Sequence, residues 1–342
     1  MKIGIILPHV AFTYYAGIPI QGRFWKEGLE SLGHQVYLLN NWDQFDYDSL
    51  EYLIILGQGI YMSDIVNSYK RYPNIKIISA PIIDWHKSLL EFKLRCKYLG
   101  WHKGGLIKPL HELYEVRNKV DFFLARSEYE KNIISKGLNI DPSKIHIVPI
   151  SLRFQEFPEI DFSKKEDFCL HVSRLRDPGK NVARLIEAAK KYGFKLKLAG
   201  TLHGKDRKWL DNLISGSNNI EYLGRLSDTE LLFWYSKAKV FALPSIIEGV
   251  GCVALEAAVY GSEIVLTNIG GPKEYYSGRA VLVNPYSVDS IGKGIEEAFN
   301  KKKSQPELRE YIIENYTLIA CCKKLELSLI HISEPTRRTP IS

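Results

Sequence analysis

Two glutamates, Glu248 and Glu256, are separated by seven residues in the stretch Glu248 to Tyr276. Gly249 and Gly251 bracket the first turn after Glu248. A β-branched run follows from Glu263 to Thr267, and then a second glycine loop, Gly270-Gly271-Pro272. The order is loop, helix, strand, loop, with small residues at both turns. Glycines let backbone N–H groups approach an anion closely, and a helix N-terminus adds partial positive charge. The N–H groups near Gly249, Gly251 and Cys252 are therefore candidates to hold a phosphate. A carboxylate before the helix can accept from sugar hydroxyls, and one two turns in can accept from a ribose diol. On a continuous helix the pair would lie roughly 80° apart at ~100° per residue and look toward one cleft. The chemistry is that of a nucleotide-sugar site.

A second constellation, Ser173 to Asn181, reads SRLRDPGKN. Arg174 and Lys180 flank a Pro-Gly turn and precede a helical pattern. Such a turn aims both cations and the helix N-terminus at one diphosphate. Arg176 is a weaker substitute in the same turn.

The elements that must position these residues alternate along the chain. Candidate strands are Lys2–Leu7, Gln35–Leu39, Tyr52–Leu56, Ile75–Ser79, Phe122–Ala125 and Ile145–Pro149, with helices such as Gln21–Leu32 and Glu128–Lys136 between them. Gly33 and Gly137 stand where those helices should stop. A linker-like stretch, Ile150 to Glu166, interrupts the rhythm. Strands Phe168–Ser173, Lys195–Ala199, Ile220–Leu223 and Val240–Ala242 then alternate with helices Asn181–Tyr192, Lys205–Ser215 and Ser227–Ala238. Ser227 with Glu230 reads as a capping box. This βα alternation predicts doubly wound parallel sheets in an α/β protein.

The Glu248/Glu256 order, the glycines and the GGP-x-E sequel resemble the family-4 retaining glycosyltransferases, which have the GT-B fold. The resemblance covers nearly the whole chain up to Leu327 and is strongest from Phe168 to Pro285. It implies two Rossmann-like domains facing a cleft: an acceptor domain over 1–155 and a nucleotide-sugar domain over 165–304. It also implies a C-terminal helix, about Gln305 to Glu326, that crosses back to the first domain. By the same resemblance Arg174 and Lys180 bind the donor diphosphate and stabilise the leaving group. A loop near Gly17 touches phosphate, although Ala16-Gly17-Ile18-Pro19 lacks the family's double glycine. A histidine beside the donor sugar is filled by His86 or Asp84, in the loop Pro81 to His86. Ser127 reads as an N-cap, and Pro149-Ile150-Ser151 departs from the family's Pro-Asn-Gly.

The resemblance further implies an enzyme moving a hexose from a UDP- or GDP-sugar to a glycan or lipid-linked glycan. Attack would be front-face, with the leaving phosphate as base and no metal or other cofactor. Asp46-Tyr47-Asp48, in an acidic loop, is not read as a metal site, and Gly57-Gln58-Gly59 lacks the third glycine of a dinucleotide loop. The alternatives are a nucleotide-sugar epimerase or hydrolase, and a non-catalytic glycan-binding relative.

Composition frames this reading. The 342 residues suit two domains, with 45% hydrophobic and 25% charged residues. The net charge of +7 does not demand nucleic acid as a partner. No apolar run is long enough to span a membrane. Five cysteines without CxxC or Cys/His spacing point to reduced thiols in a cytoplasm. Trp85 to Lys119 carries eight Lys or Arg against three Glu, interleaved with aromatics. That pattern suits an anionic membrane surface, and so a protein peripheral to the inner face. The end, Leu327 to Ser342, looks like a translated sequencing adapter and is set aside as a non-native tail.

Overall fold

The computed structural model describes residues 1–7, 17–40, 44–59, 61–100, 106–300 and 304–333. They form two compact units: Met1–Ser151 with the segment from Leu318 onward, and Leu152–Thr317.

The first unit runs β1 (Lys2–Ile6), α1 (Gly17–Ser31), β2 (Gln35–Leu39), β3 (Tyr52–Leu56), α2 (Met62–Tyr69), β4 (Lys76–Ala80), α3 (Leu89–Tyr98), α4 (Pro109–Val116), β5 (Phe122–Ala125), α5 (Glu128–Leu138) and β6 (Ile145–Ile147). Its sheet has the order β2-β1-β3-β4-β5-β6, and its strand pairs are parallel. The run YLIIL of β3, Tyr52 to Leu56, is buried throughout, as a parallel strand covered on both faces requires. Gly137 does not end α5. It lies inside that helix, where a Cβ would meet the Phe92 ring at 2.5 Å. The left-handed stop falls instead on Asn139 (φ 58°).

The second unit runs β7 (Glu166–Val172), α6 (Val182–Tyr192), β8 (Leu196–Ala199), α7 (Lys205–Ile214), β9 (Ile220–Gly224), α8 (Asp228–Lys237), β10 (Ala238–Leu243), α9 (Cys252–Val259), β11 (Glu263–Thr267), β12 (Val281–Val283), α10 (Val288–Asn300) and α11 (Glu307–Tyr316). Its parallel sheet has the order β12-β11-β10-β7-β8-β9. The capping box at α8 forms as Ser227 and Glu230 predict.

Two expectations need correction. The stretch before β7 is not a loose linker. Leu152 N–H donates to Tyr316 O (2.8 Å), and Arg309 reaches Pro158 O (2.7 Å). Lys165, half-buried, donates to the carbonyls of Tyr235, Ala238 and Tyr260. Nor is the end one helix over Gln305 to Glu326. The helix breaks at Thr317, whose backbone is extended. α11 stays in the second unit, and α12 (Leu318–Ser333) packs on α1 in the first. Cys322, Leu325 and Leu329 share a core there with Trp25 and Leu29. Residues 327–333 of the stretch set aside as non-native thus lie in α12; residues 334–342 are outside the described residues.

Candidate functional site

In a doubly wound sheet, ligands bind where strand order reverses, beyond the carboxyl ends of the strands. In the second unit the reversal falls between β7 and β10. The two loops leaving those strands carry the residues predicted from sequence.

A buried histidine ties the two strands together below the loops. His171 Nδ1 lies 2.8 Å from Ala242 O, so it carries the proton, and Nε2 accepts from the Ser173 hydroxyl at 2.7 Å. Burial pushes this imidazole down to about 4, so it stays neutral. Above it, Asp177 accepts from Gly179 N–H and shapes the Pro-Gly turn. Asn181, left-handed at φ 61°, donates to Pro244 O and Pro285 O. Ile246 N–H and Ile247 N–H both donate to Gly179 O. The turn after β7 is therefore stitched to the loop after β10.

The stitching brings Lys180 and Glu248 into contact. Lys180 Nζ donates to Glu248 Oε2 at 2.7 Å, and Ser245 Oγ donates to the same oxygen at 3.1 Å. Gly270 lies against the Glu248 carbonyl at φ 82°, so the second glycine loop closes on the same place. Arg174 stands on the same turn with its side chain 82% exposed, held to Asp177 Oδ2 at 2.7 Å. Arg176 is drawn away to Asp206 and Trp209 on α7.

Glu248 precedes α9 and Glu256 lies within it, so the continuous-helix geometry does not apply. Gly251 is the left-handed N-cap (φ 77°), with half-buried Cys252 first in the helix. Glu256 is only 3% exposed. Its Oε1 accepts from Arg153 Nε (3.1 Å) and its Oε2 from the Tyr235 hydroxyl (3.2 Å). Arg153 also reaches Asp228 (2.8 Å) and stacks over Phe154. Burial pushes the Glu256 carboxyl up, and Arg153 and Tyr235 pull it only partly back. Nearby, the buried Tyr276 hydroxyl has no partner among the described residues.

The first unit holds Gly17, Asp84 and His86. Gly17 opens α1 and is exposed, with nothing near its Cβ position; the loop before it, 8–16, lies outside the described residues. Strand order reverses here between β1 and β3. Beyond β3 and β4, the buried atoms Gln58 Oε1 and His86 Nδ1 have no hydrogen-bond partner among the described residues. Asp84 is committed instead. Arg126 Nη2 donates to it at 2.7 Å and to Glu130 Oε1 at 3.0 Å. Glu130 also accepts from Arg126 Nε (2.8 Å), Arg126 N–H (2.7 Å) and Ile83 N–H (2.5 Å). This network pins the loop at Ile82, a β-branched residue in the left-handed region (φ 54°). Ser127 is the N-cap of α5, as expected.

Sequence reasoning missed Arg153, His171, Tyr276 and the Arg126–Glu130 pair. Each depends on a partner or surrounding from another part of the chain, apart from the i, i+4 spacing of Arg126 and Glu130.

Comparison with known proteins decides the family. The chain is 33% identical over 338 residues to an uncharacterized glycosyltransferase, MJ1178, of Methanocaldococcus jannaschii, with 91% of each chain covered. The chain belongs to the group 1 glycosyltransferases. The family model described as glycosyl transferases group 1 matches residues 153–317, the span holding both motifs of the second unit. The O-antigen biosynthesis glycosyltransferase WbnH of Escherichia coli is 25% identical over 242 residues, covering 67% of this chain and 68% of that one. Among solved structures, the apo form of the lipopolysaccharide outer core galactosyltransferase WaaB superposes with a TM-score of 0.72 at 16% identity, covering 97% of this chain and 99% of that one. The likeness to such structures, with the two six-stranded parallel sheets, gives this glycosyltransferase the GT-B fold. Among the described residues no group of three or more His, Cys, Asp or Glu could hold a metal ion. No helix of the described residues is long and apolar enough to cross a membrane.

Proposed function

We propose that this transferase is a retaining enzyme of the family-4 type. It moves a hexose from a UDP- or GDP-linked donor to a glycan or lipid-linked glycan. The observation that carries the reading is the contact of Lys180 with Glu248 across the switch point, between loops also holding Arg174 and the N-terminus of α9. Lys180 and Arg174 receive the diphosphate, helped by backbone N–H groups around Gly249, Gly251 and Cys252. As phosphate takes Lys180, the Glu248 carboxylate is released to accept from donor-sugar hydroxyls. Glu256 accepts from the ribose.

Bond cleavage builds charge on the leaving diphosphate, and the two cations stabilise it in place of a metal. The acceptor attacks from the same face, and the leaving phosphate takes its proton. In the first unit, the unpartnered atoms of Gln58 and His86 support a polar sugar contact, and of Asp84 and His86 the histidine is the freer group. Gly17 adds a backbone contact to phosphate.

The surface of α3 supports an acceptor at an anionic lipid surface. Leu90, Leu94 and Tyr98 recur at i, i+4 and i+8 and are exposed, beside Lys93 and Lys97. The protein then works in the cytoplasm, peripheral to the inner face of the membrane.

A donor screen tests the reading. UDP-, GDP- and ADP-sugars are scored by thermal shift and by release of the nucleoside diphosphate. One donor should stabilise the protein and be turned over when acceptor is supplied. Stabilisation by none of them would remove the nucleotide-sugar site.

A further inference from the structure

Glu256 is a carboxylate inside protein, and such a group keeps its charge only when paired. The groups facing it can be named element by element. Arg153 comes from the segment before β7, Asp228 and Tyr235 from α8, and Tyr260 from the end of α9, while Cys252, one turn earlier on α9, acts on Tyr235. Arg153 supplies the positive charge in contact with it. A carboxylate offers about four acceptor sites, two on each oxygen. Among the described residues Arg153 fills one on Oε1 and Tyr235 one on Oε2, which leaves one acceptor site on each oxygen for a ligand. Two open sites on neighbouring oxygens match the two hydroxyls of a vicinal diol. A protonated acid in the same place would lose an acceptor site and the charge that strengthens both bonds.

We propose that Arg153 is a positioning residue for donor binding, holding the Glu256 carboxylate ionised and turned so that its remaining lone pairs accept the ribose diol. The inference rests on the assignment of Glu256 to the ribose. Arg153 is kept in place by Asp228 on its far side and by the Phe154 ring beneath it. The sign of the pH effect follows from burial, which already pushes the Glu256 carboxyl up. Without the guanidinium it rises further. Binding that needs the carboxylate then weakens at low pH and recovers as pH rises.

The test is calorimetric titration of the full chain with UDP, GDP and ADP, carrying forward whichever binds. Wild type, Arg153→Gln and Arg153→Lys are each titrated with that nucleotide and its 2′-deoxy form from about pH 6 to about pH 9. Arg153→Gln should bind the ribonucleotide about 10-fold more weakly at the acid end, with the gap closing toward the alkaline end. Arg153→Lys restores a charge and should follow the wild-type profile. A merely structural arginine would shift affinity equally at every pH. Arg153→Gln binding as tightly as wild type, more tightly, or with an unchanged profile would overturn the inference. Should wild type bind none of the three, or fail to distinguish the ribo from the 2′-deoxy form, the ribose assignment itself falls. If Arg153→Gln does not fold, Arg153→Met read against Arg153→Lys decides the same question.

Discussion

Each unit sets an arginine against a buried glutamate, with a more exposed aspartate beyond it, and the two pairs differ in what they leave unused. In the first unit Glu130 accepts four hydrogen bonds, three from Arg126 and one from Ile83, so its capacity is filled. In the second unit Glu256 accepts, among the described residues, from Arg153 and Tyr235 alone. Both glutamates are equally buried and each meets an arginine, Arg126 buried and Arg153 partly exposed; open acceptor sites on the carboxylate separate a residue that fixes a loop from one that can meet a ligand. The comparison also explains why Asp84, tied to Arg126, is the weaker site candidate beside His86.

Breaking the saturated pair should have the largest effect. Arg126→Met leaves Glu130 buried without its cation, and such a loss costs ~3–5 kcal/mol. Hydrogen exchange at β4 and β5 should accelerate, while nucleotide affinity of the folded protein is kept; wild-type exchange would show that the network is not structural. Next comes the pair whose partners must separate. Lys180→Ala should lower turnover by on the order of 10²-fold with folding intact, because charge grows on the diphosphate as the bond breaks. Arg174→Ala should act the same way, and near-normal turnover in both would put the diphosphate elsewhere. Glu256→Ala should weaken free nucleotide and donor alike by about 1.5–3 kcal/mol. Equal affinity in titrations of the mutant and wild type would erase the contrast between the two pairs.

A smaller effect belongs to the surface of α3. Each cation engaged by anionic lipid contributes about 1 kcal/mol. Neutralising Lys93, Arg95 and Lys97 together should abolish salt-sensitive sedimentation with anionic vesicles and leave nucleotide binding alone. Arg95 already pairs with Glu91, so its share should be the least. The smallest effect expected is none: activity should persist in EDTA, and full loss rescued by Mg²⁺ would replace the cation mechanism with a metal one.

The sheets were legible because parallel strands buried on both faces read as short apolar runs, and glycine or capping residues punctuate them. The two motifs of the second unit could be placed after strands, where doubly wound sheets bind ligands, but the contact of Lys180 with Glu248 was not legible. Nor were two partners of Glu256. Arg153 is 103 residues away in sequence and looks like any cation near a linker, and Tyr235 looks like core. The break at Thr317 escaped because helical periodicity continues across it; only the return of Leu318 onward to another core requires the turn. Gly137 misled for a related reason: its small size serves contact with Phe92 rather than a turn.

The packing of α12 on α1 has a consequence for how the chain is made. Synthesis delivers β1 to β6 before the second unit, yet Trp25 and Leu29 lack Cys322, Leu325 and Leu329 until α12 has been translated. The whole second unit emerges between those two events and is free to fold as one uninterrupted segment. On the ribosome, then, the unit begun first is completed after the other has emerged, and its unfinished apolar face must wait through the synthesis of Leu152 to Thr317 for the helix that covers it.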